Sequence, residues 1–171
     1  MPETDATLKM IVKHPSDTDW MPPRESNPAQ RPVEMNLPKL RKQVSFPVLV
    51  SKLPLARLAS SALLPGDAVT YYARFSPSCI LHYYFEDKDR VFTIVQRRIL
   101  SSNHPMMFVY NDNVRAKQIG INGGTATVVM PSFKEAYPFL VWVRDDIFVW
   151  STFFWSVTEK DMLDVVESLS V

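Results

Sequence analysis

The sequence has a single cysteine, Cys79, in 171 residues. One thiol can close no intrachain disulfide and build no cysteine-based metal site. Lying between Ser78 and an apolar run, it reads as a small buried hydrophobe. Glycine is scarce, with 4 residues, so few left-handed turns are available, while 14 prolines supply many stiff points. Neither sign of charge dominates: 19 Lys and Arg against 18 Asp and Glu leave a net +1. Nucleic-acid and anionic-membrane partners normally require a basic surplus, so no nucleic acid is expected as partner. No apolar run approaches the ~18 residues needed to span a bilayer. The first twenty residues hold no apolar signal core and no small-residue cleavage site. As written, the chain is therefore expected to be soluble and cytoplasmic, with no transmembrane segment and no signal peptide.

Signatures of catalysis are equally sparse. The three histidines, His14, His82 and His104, are far apart in sequence and share no ligand spacing, whereas zinc needs three or four ligands. His82, inside ILHYYF, reads as a half-buried strand residue with one hydrogen bond. No serine sits in a G-x-S-x-G elbow. The stretch Gly120-Ile121-Asn122-Gly123-Gly124 lacks the strand-to-helix context and the Lys-Ser/Thr of a phosphate-cradling loop. Asp145-Asp146 and Glu86-Asp87-Lys88-Asp89 lack the oxygen-rich ordered loop that calcium requires. No catalytic residue, no cofactor and no metal site is expected, and a hydrolase built on His82 or His104 has no supporting spacing. The chain is not expected to be an enzyme.

What is present is a change of texture near Phe46. Residues 1–45 hold seven of the 14 prolines and few large apolar side chains. Such a composition buries too little to offset chain entropy and reads as a mostly extended or disordered arm. Within it, residues 8–12 could add as an edge strand, Trp20-Met21 could anchor onto the domain or a partner, and Leu37, Leu40 and Val44 show a weak helical spacing. Residues 46–171 read as one domain.

Phe46-Pro47-Val48-Leu49-Val50 reads as a lead-in or edge segment, and residues 52–67 as a connection ending in the turn Pro65-Gly66-Asp67. Strand-like runs follow at 68–75, 79–85, 90–100, 106–110, 114–121 and 125–130. The last two flank Asn122-Gly123-Gly124, the strongest hairpin signal in the chain. In the 90–100 run, Phe92, Ile94, Gln96 and Arg98 alternate against Val91, Thr93, Val95 and Arg97. The chain closes with two apolar runs, 139–143 and 147–155, around the turn Arg144-Asp145-Asp146. Thr158 with Asp161 then reads as a capping box, and Met162, Val165, Val166 and Leu169 fall on one helical face. The expected fold is α+β: a curved antiparallel sheet of about seven or eight strands in mainly meander order, with a C-terminal helix packed on one face.

Aromatic density is the unusual feature, at 12% of residues. Alternation places Phe148, Trp150 and Phe154 on one face, with Phe153 and Trp155 on the other. Aromatics on both faces imply either a sheet wrapped around its own core or an accessible patch that holds a protein segment or an apolar ligand. The residues that would form such a patch are Trp142, Trp150, Phe154 and Tyr83.

Several short motifs carry a resemblance. Phe46-Pro47 with Leu53-Pro54, Ile94-Val95-Gln96, Ile121-Asn122-Gly123-Gly124-Thr125-Ala126 and Leu140-Val141-Trp142 occur in order, followed by the 158–169 helix. Together they resemble the bacterial extracytoplasmic domain of unknown function found in putative anti-sigma factors and sporulation-associated membrane proteins. The resemblance implies a curved-sheet domain similar to lipoprotein carriers, an extracytoplasmic location and no catalytic residues. It makes a sensor or binding domain the first functional expectation. The second is a structural or assembly protein whose aromatics all lie in the core.

Overall fold

The computed structural model describes residues 10–13, 31–69, 73–102, 106–109, 114–131 and 137–171. For residues 10–13, 68–69, 102, 106–109 and 114 it describes the backbone alone. In chain order the elements are β1 (Met10–Lys13), β2 (Val33–Glu34), α1 (Leu37–Gln43), β3 (Ala56–Leu64), β4 (Ala68–Val69), β5 (Ala73–Phe75) and β6 (Ser78–Phe85). They continue as β7 (Arg90–Ser102), β8 (Met106–Val109), β9 (Val114–Ile121), β10 (Gly124–Pro131), β11 (Phe139–Arg144), β12 (Ile147–Thr152) and α2 (Glu159–Ser168).

The main sheet runs β2-β3-β6-β7-β12-β11-β10-β9, with β5 added to β7 and β4 to β5. β1 and β8 form a separate parallel pair. The α+β class and the antiparallel pairing follow the sequence expectation, but the curved meander does not. Sequence neighbours pair in β2-β3, β6-β7 and the longer run β12-β11-β10-β9, but β3 pairs across to β6 and β7 to β12, where Ile147 lies opposite Arg98 and Thr152 opposite Thr93. The sheet is an open layer ending at β2 and β9, not one curved around its own core. The reason lies in the cover. One face is sealed by Met162, Val165 and Val166 of α2, Leu40 of α1, and Phe46, Val48 and Leu49 of the lead-in segment. With that cover in place the apolar face needs no curling to escape water.

Among the described residues two helices form: the expected C-terminal one and α1, where the sequence shows a weak helical spacing. Asn36 caps α1, its side-chain oxygen accepting from the Lys39 N–H at 2.9 Å. Leu40 is fully buried, so residues ahead of Phe46 already pack onto the sheet. Within the expected arm, residues 1–9 and 14–30, including Trp20-Met21, lie outside the described residues. At α2 the capping box forms: Thr158 Oγ1 accepts from Asp161 N–H at 3.1 Å, and Asp161 Oδ2 accepts from Thr158 N–H at 3.3 Å.

β3 was expected to be a connecting segment. Its Ala- and Ser-rich sequence carries little strand propensity. It pairs all the same with β6, from Ala56 opposite Phe85 to Leu64 opposite Ser78, and buries Ala62 and Leu63. Tertiary pairing overrides the local preference.

The Asn122-Gly123 hairpin turn has φ of 50° and 75°, the doubly left-handed geometry that suits a two-residue connection. Asn122 Nδ2 also donates to the Val166 and Leu169 carbonyls at 2.9 and 3.1 Å, capping the end of α2. The helix terminus is held again by Val50 and Ser170, which exchange hydrogen bonds of 2.8 and 3.1 Å. No helix among the described residues is long and apolar enough to cross a membrane.

Candidate functional site

The four aromatic residues singled out by the sequence do not converge on one surface. Tyr83 on β6 and Trp142 on β11 are 1% and 0% exposed, and both lie beneath the helices with Phe154, which is 6% exposed. Trp150 lies on the opposite face and is half-buried there, stacked on Phe139 with ring centroids 4.6 Å apart. The expected grouping of Phe154 with Phe148 and Trp150 fails because β12 ends at Thr152. Strand alternation stops there, and both Phe153 and Phe154 turn into the main core.

The helix-side aromatics form a continuous stack. Phe92 lies between Tyr83, at 5.1 Å with an interplanar angle of 7°, and Phe153, at 5.4 Å and 17°. Phe85 tilts against Phe92 at 5.0 Å and meets Phe154 edge-on at 6.1 Å. Offset and edge contacts of this kind add to the area already buried.

Polar atoms in this core have partners. The Tyr83 hydroxyl accepts from the Ser51 N–H at 3.0 Å, and burial holds its pKa above the ordinary tyrosine value. Trp142 Nε1 donates to the Ile121 carbonyl at 3.0 Å, while the Arg144 guanidinium lies over the Trp142 ring, 5.0 Å from its centroid. Cys79 is fully buried, and burial pushes its thiol up to about 12, with the backbone N–H of Gln96 opposing only in part. A thiol in that state is not a nucleophile.

Sequence reasoning missed the role of Gln96. This fully buried residue donates from Nε2 to the Leu49 carbonyl at 2.6 Å, and its Oε1 accepts from the Leu49 N–H at 2.8 Å. The signal was available in the sequence, since an amide side chain in the middle of an apolar strand needs a buried partner. The motif Ile94-Val95-Gln96 thereby acquires a structural reason.

On the opposite face Arg97 lies over the rings of Phe75 and Phe148, at 4.8 and 5.4 Å, while its neighbour Arg98, which lies opposite Ile147 on β12, pairs with Asp146 at 2.9 Å. Phe75 shares this face with Ala73 by alternation along β5, and a register slip between Arg74 and Phe75 sets it opposite Ile99. His82 meets Thr93 Oγ1 at 3.1 Å through Nδ1, while His14 and His104 lie outside the described residues. Among the described residues, no group of three or more His, Cys, Asp or Glu is placed to hold a metal.

The expected aromatic binding surface is therefore corrected to a packed core. Exposed aromatics do exist, Tyr137 at 62% and Trp155 at 42%, but neither belongs to the group singled out. The resemblance to anti-sigma ectodomains stands on its short motifs alone. No family model matches this chain, and the comparisons with curated proteins and with solved structures give no match either.

Proposed function

We propose that the chain is a non-catalytic structural module that contributes to an assembly through a rigid, aromatic-filled fold. The observation that supports this reading is the state of Trp142 and Tyr83. Both are buried, and the indole N–H and the phenol oxygen are already bonded to backbone groups of the same domain. An apolar ligand would have to displace α2 and the lead-in segment to reach them, at the cost of the burial those elements provide, about 1.5–3 kcal/mol for each large apolar side chain.

The test is fluorescence titration of the full chain with an environment-sensitive apolar dye, read through its four tryptophans. A flat titration is expected, together with a loss of about 3–5 kcal/mol of stability in Trp142→Ala, the usual cost of emptying a large aromatic site. A saturable change at micromolar dye, abolished by Trp142→Ala without unfolding, would refute the reading.

A further inference from the structure

Asn122-Gly123, the turn between β9 and β10, is the one Asn-Gly pair in the sequence. Without a Cβ, glycine leaves its backbone nitrogen uncrowded and free to attack the preceding side-chain amide. Gly123 is exposed and Asn122 half-buried, so water reaches the pair. In that reaction the Gly123 nitrogen forms a bond to Asn122 Cγ and the Cγ–Nδ2 bond breaks. The Gly123 proton leaves with Nδ2 as ammonia. Water then opens the cyclic imide at either carbonyl, which leaves a carboxyl group on a normal or a β-linked main chain.

The fold sets an obstacle at the leaving group. Asn122 Nδ2 donates to the Val166 and Leu169 carbonyls at 2.9 and 3.1 Å, and the Asn122 carbonyl accepts from Arg144 Nη1 at 3.4 Å. Expelling Nδ2 forfeits both bonds to the helix end, so the docked state resists the reaction. Openings in which the end of α2 lifts remove that resistance. We propose that Asn122 is a modification site gated by the docking of α2: the seated helix end protects the amide, and the lifted one lets Asn122-Gly123 deamidate.

The change runs one way. A carboxylate has no hydrogen to donate, so two helix carbonyls then face another acceptor. Its charge also sits at the negative end of the helix dipole. The β-linked product adds a main-chain carbon to a turn that must set Gly124 opposite Ile121. Neither product can cap α2 again, and the Val50–Ser170 exchange is left to hold the helix end. Because α2 carries Met162, Val165 and Val166 onto the aromatic core, a deamidated chain keeps a loosened roof as the record of one opening. This inference is independent of the assembly reading above.

Incubation of the full chain at mildly alkaline pH, followed by peptide mapping in a mass spectrometer, reads the amide-to-acid conversion at Asn122. Conversion in the native chain is expected to be slower than in urea by about tenfold or more. Ser170→Pro removes the N–H that bonds the Val50 carbonyl, and Leu169, with φ of −67° and ψ of 124°, already has the backbone that a following proline needs. It should speed conversion of the native chain severalfold without touching the turn. Asn122→Asp reproduces the normally linked product. Hydrogen exchange at the end of α2 should quicken in it about tenfold, more than in Asn122→Gly, and the excess should vanish as the pH falls through the carboxylate range. Equal conversion in native and unfolded chains, no acceleration in Ser170→Pro, or parental exchange in Asn122→Asp would each overturn the proposal. If Ser170→Pro does not fold, the other two comparisons decide.

Discussion

Gln96 and Leu49 exchange two hydrogen bonds across the core, the amide of one satisfying both backbone groups of the other. The side chain acts as a substitute strand partner and fixes an irregular segment over the sheet. Leu49 is 1% exposed, so water cannot take over either bond. Gln96→Leu preserves most of the volume but strands a buried N–H and a buried C=O. It is expected to cost about 2–4 kcal/mol, since each unsatisfied group forfeits its hydration. Urea unfolding of the variant beside the parent measures this, and a loss under 1 kcal/mol would mean that the segment relaxes and finds other partners.

Asn122 combines a turn conformation with a helix cap, and the two can be separated. Asn122→Gly keeps the positive φ but removes both bonds to the end of α2, and should cost about 1–2 kcal/mol. Asn122→Ala loses the cap and also strains the left-handed backbone, adding about 1–2 kcal/mol. Thermal melts of the two variants should therefore rank Ala below Gly. Equal midpoints would remove the backbone contribution.

Gly124 permits a close approach. A Cβ there would lie against the Val143 carbonyl oxygen and 2.7 Å from Trp142 Nε1. Gly124→Ala is expected to destabilise by about 1–3 kcal/mol through overpacking. It should also shift the near-ultraviolet circular dichroism of Trp142, whose bond to Ile121 crosses the same space. An unchanged spectrum with full stability would contradict this packing.

Cys79 imposes a pH dependence on the alkaline side. The thiol ionises near 9.0 when unfolded and at about 12 in the fold, so between those values the unfolded chain holds fewer protons. The stabilisation is complete below about pH 9 and is lost as the pH rises toward 12. Tyr83, whose pKa is also raised by burial, acts in the same direction at higher pH. Unfolding curves from pH 7 to 11 should show the decline, and Cys79→Ala should flatten its first part. The folded thiol should resist alkylation at pH 8 until denaturant is added.

The sequence made some of this legible because the local signals and the global fold agree. The two-residue Asn122-Gly123 turn, the Thr158–Asp161 box and the Met162–Leu169 face are short-range features that no distant contact reverses. The alternation of Phe92, Ile94 and Gln96 also carried over, since β7 is paired on both sides and its pleat is held. β3 was hidden because alanine and serine carry no preference, and its identity is conferred by β6. Phe154 was misplaced because alternation was extended past Thr152, where the ladder ends. The curved sheet was expected from aromatics on both faces. What the sequence did not reveal is that the lead-in segment and a second helix roof one of those faces, an arrangement set by contacts far apart in the chain, such as Leu49 with Gln96.

The bridge between Val50 and Ser170 has a consequence for synthesis. Val50 leaves the ribosome long before its partner exists, and α2, which roofs the same face, is also made late. Until then the aromatic stack has its strands, α1 and the lead-in segment but not the part of its cover that α2 supplies, and that part of its apolar face is open to other chains. Contacts of such long range are slow to close. The interval between translating β12 and docking α2 is therefore when a nascent chain of this protein most needs a chaperone.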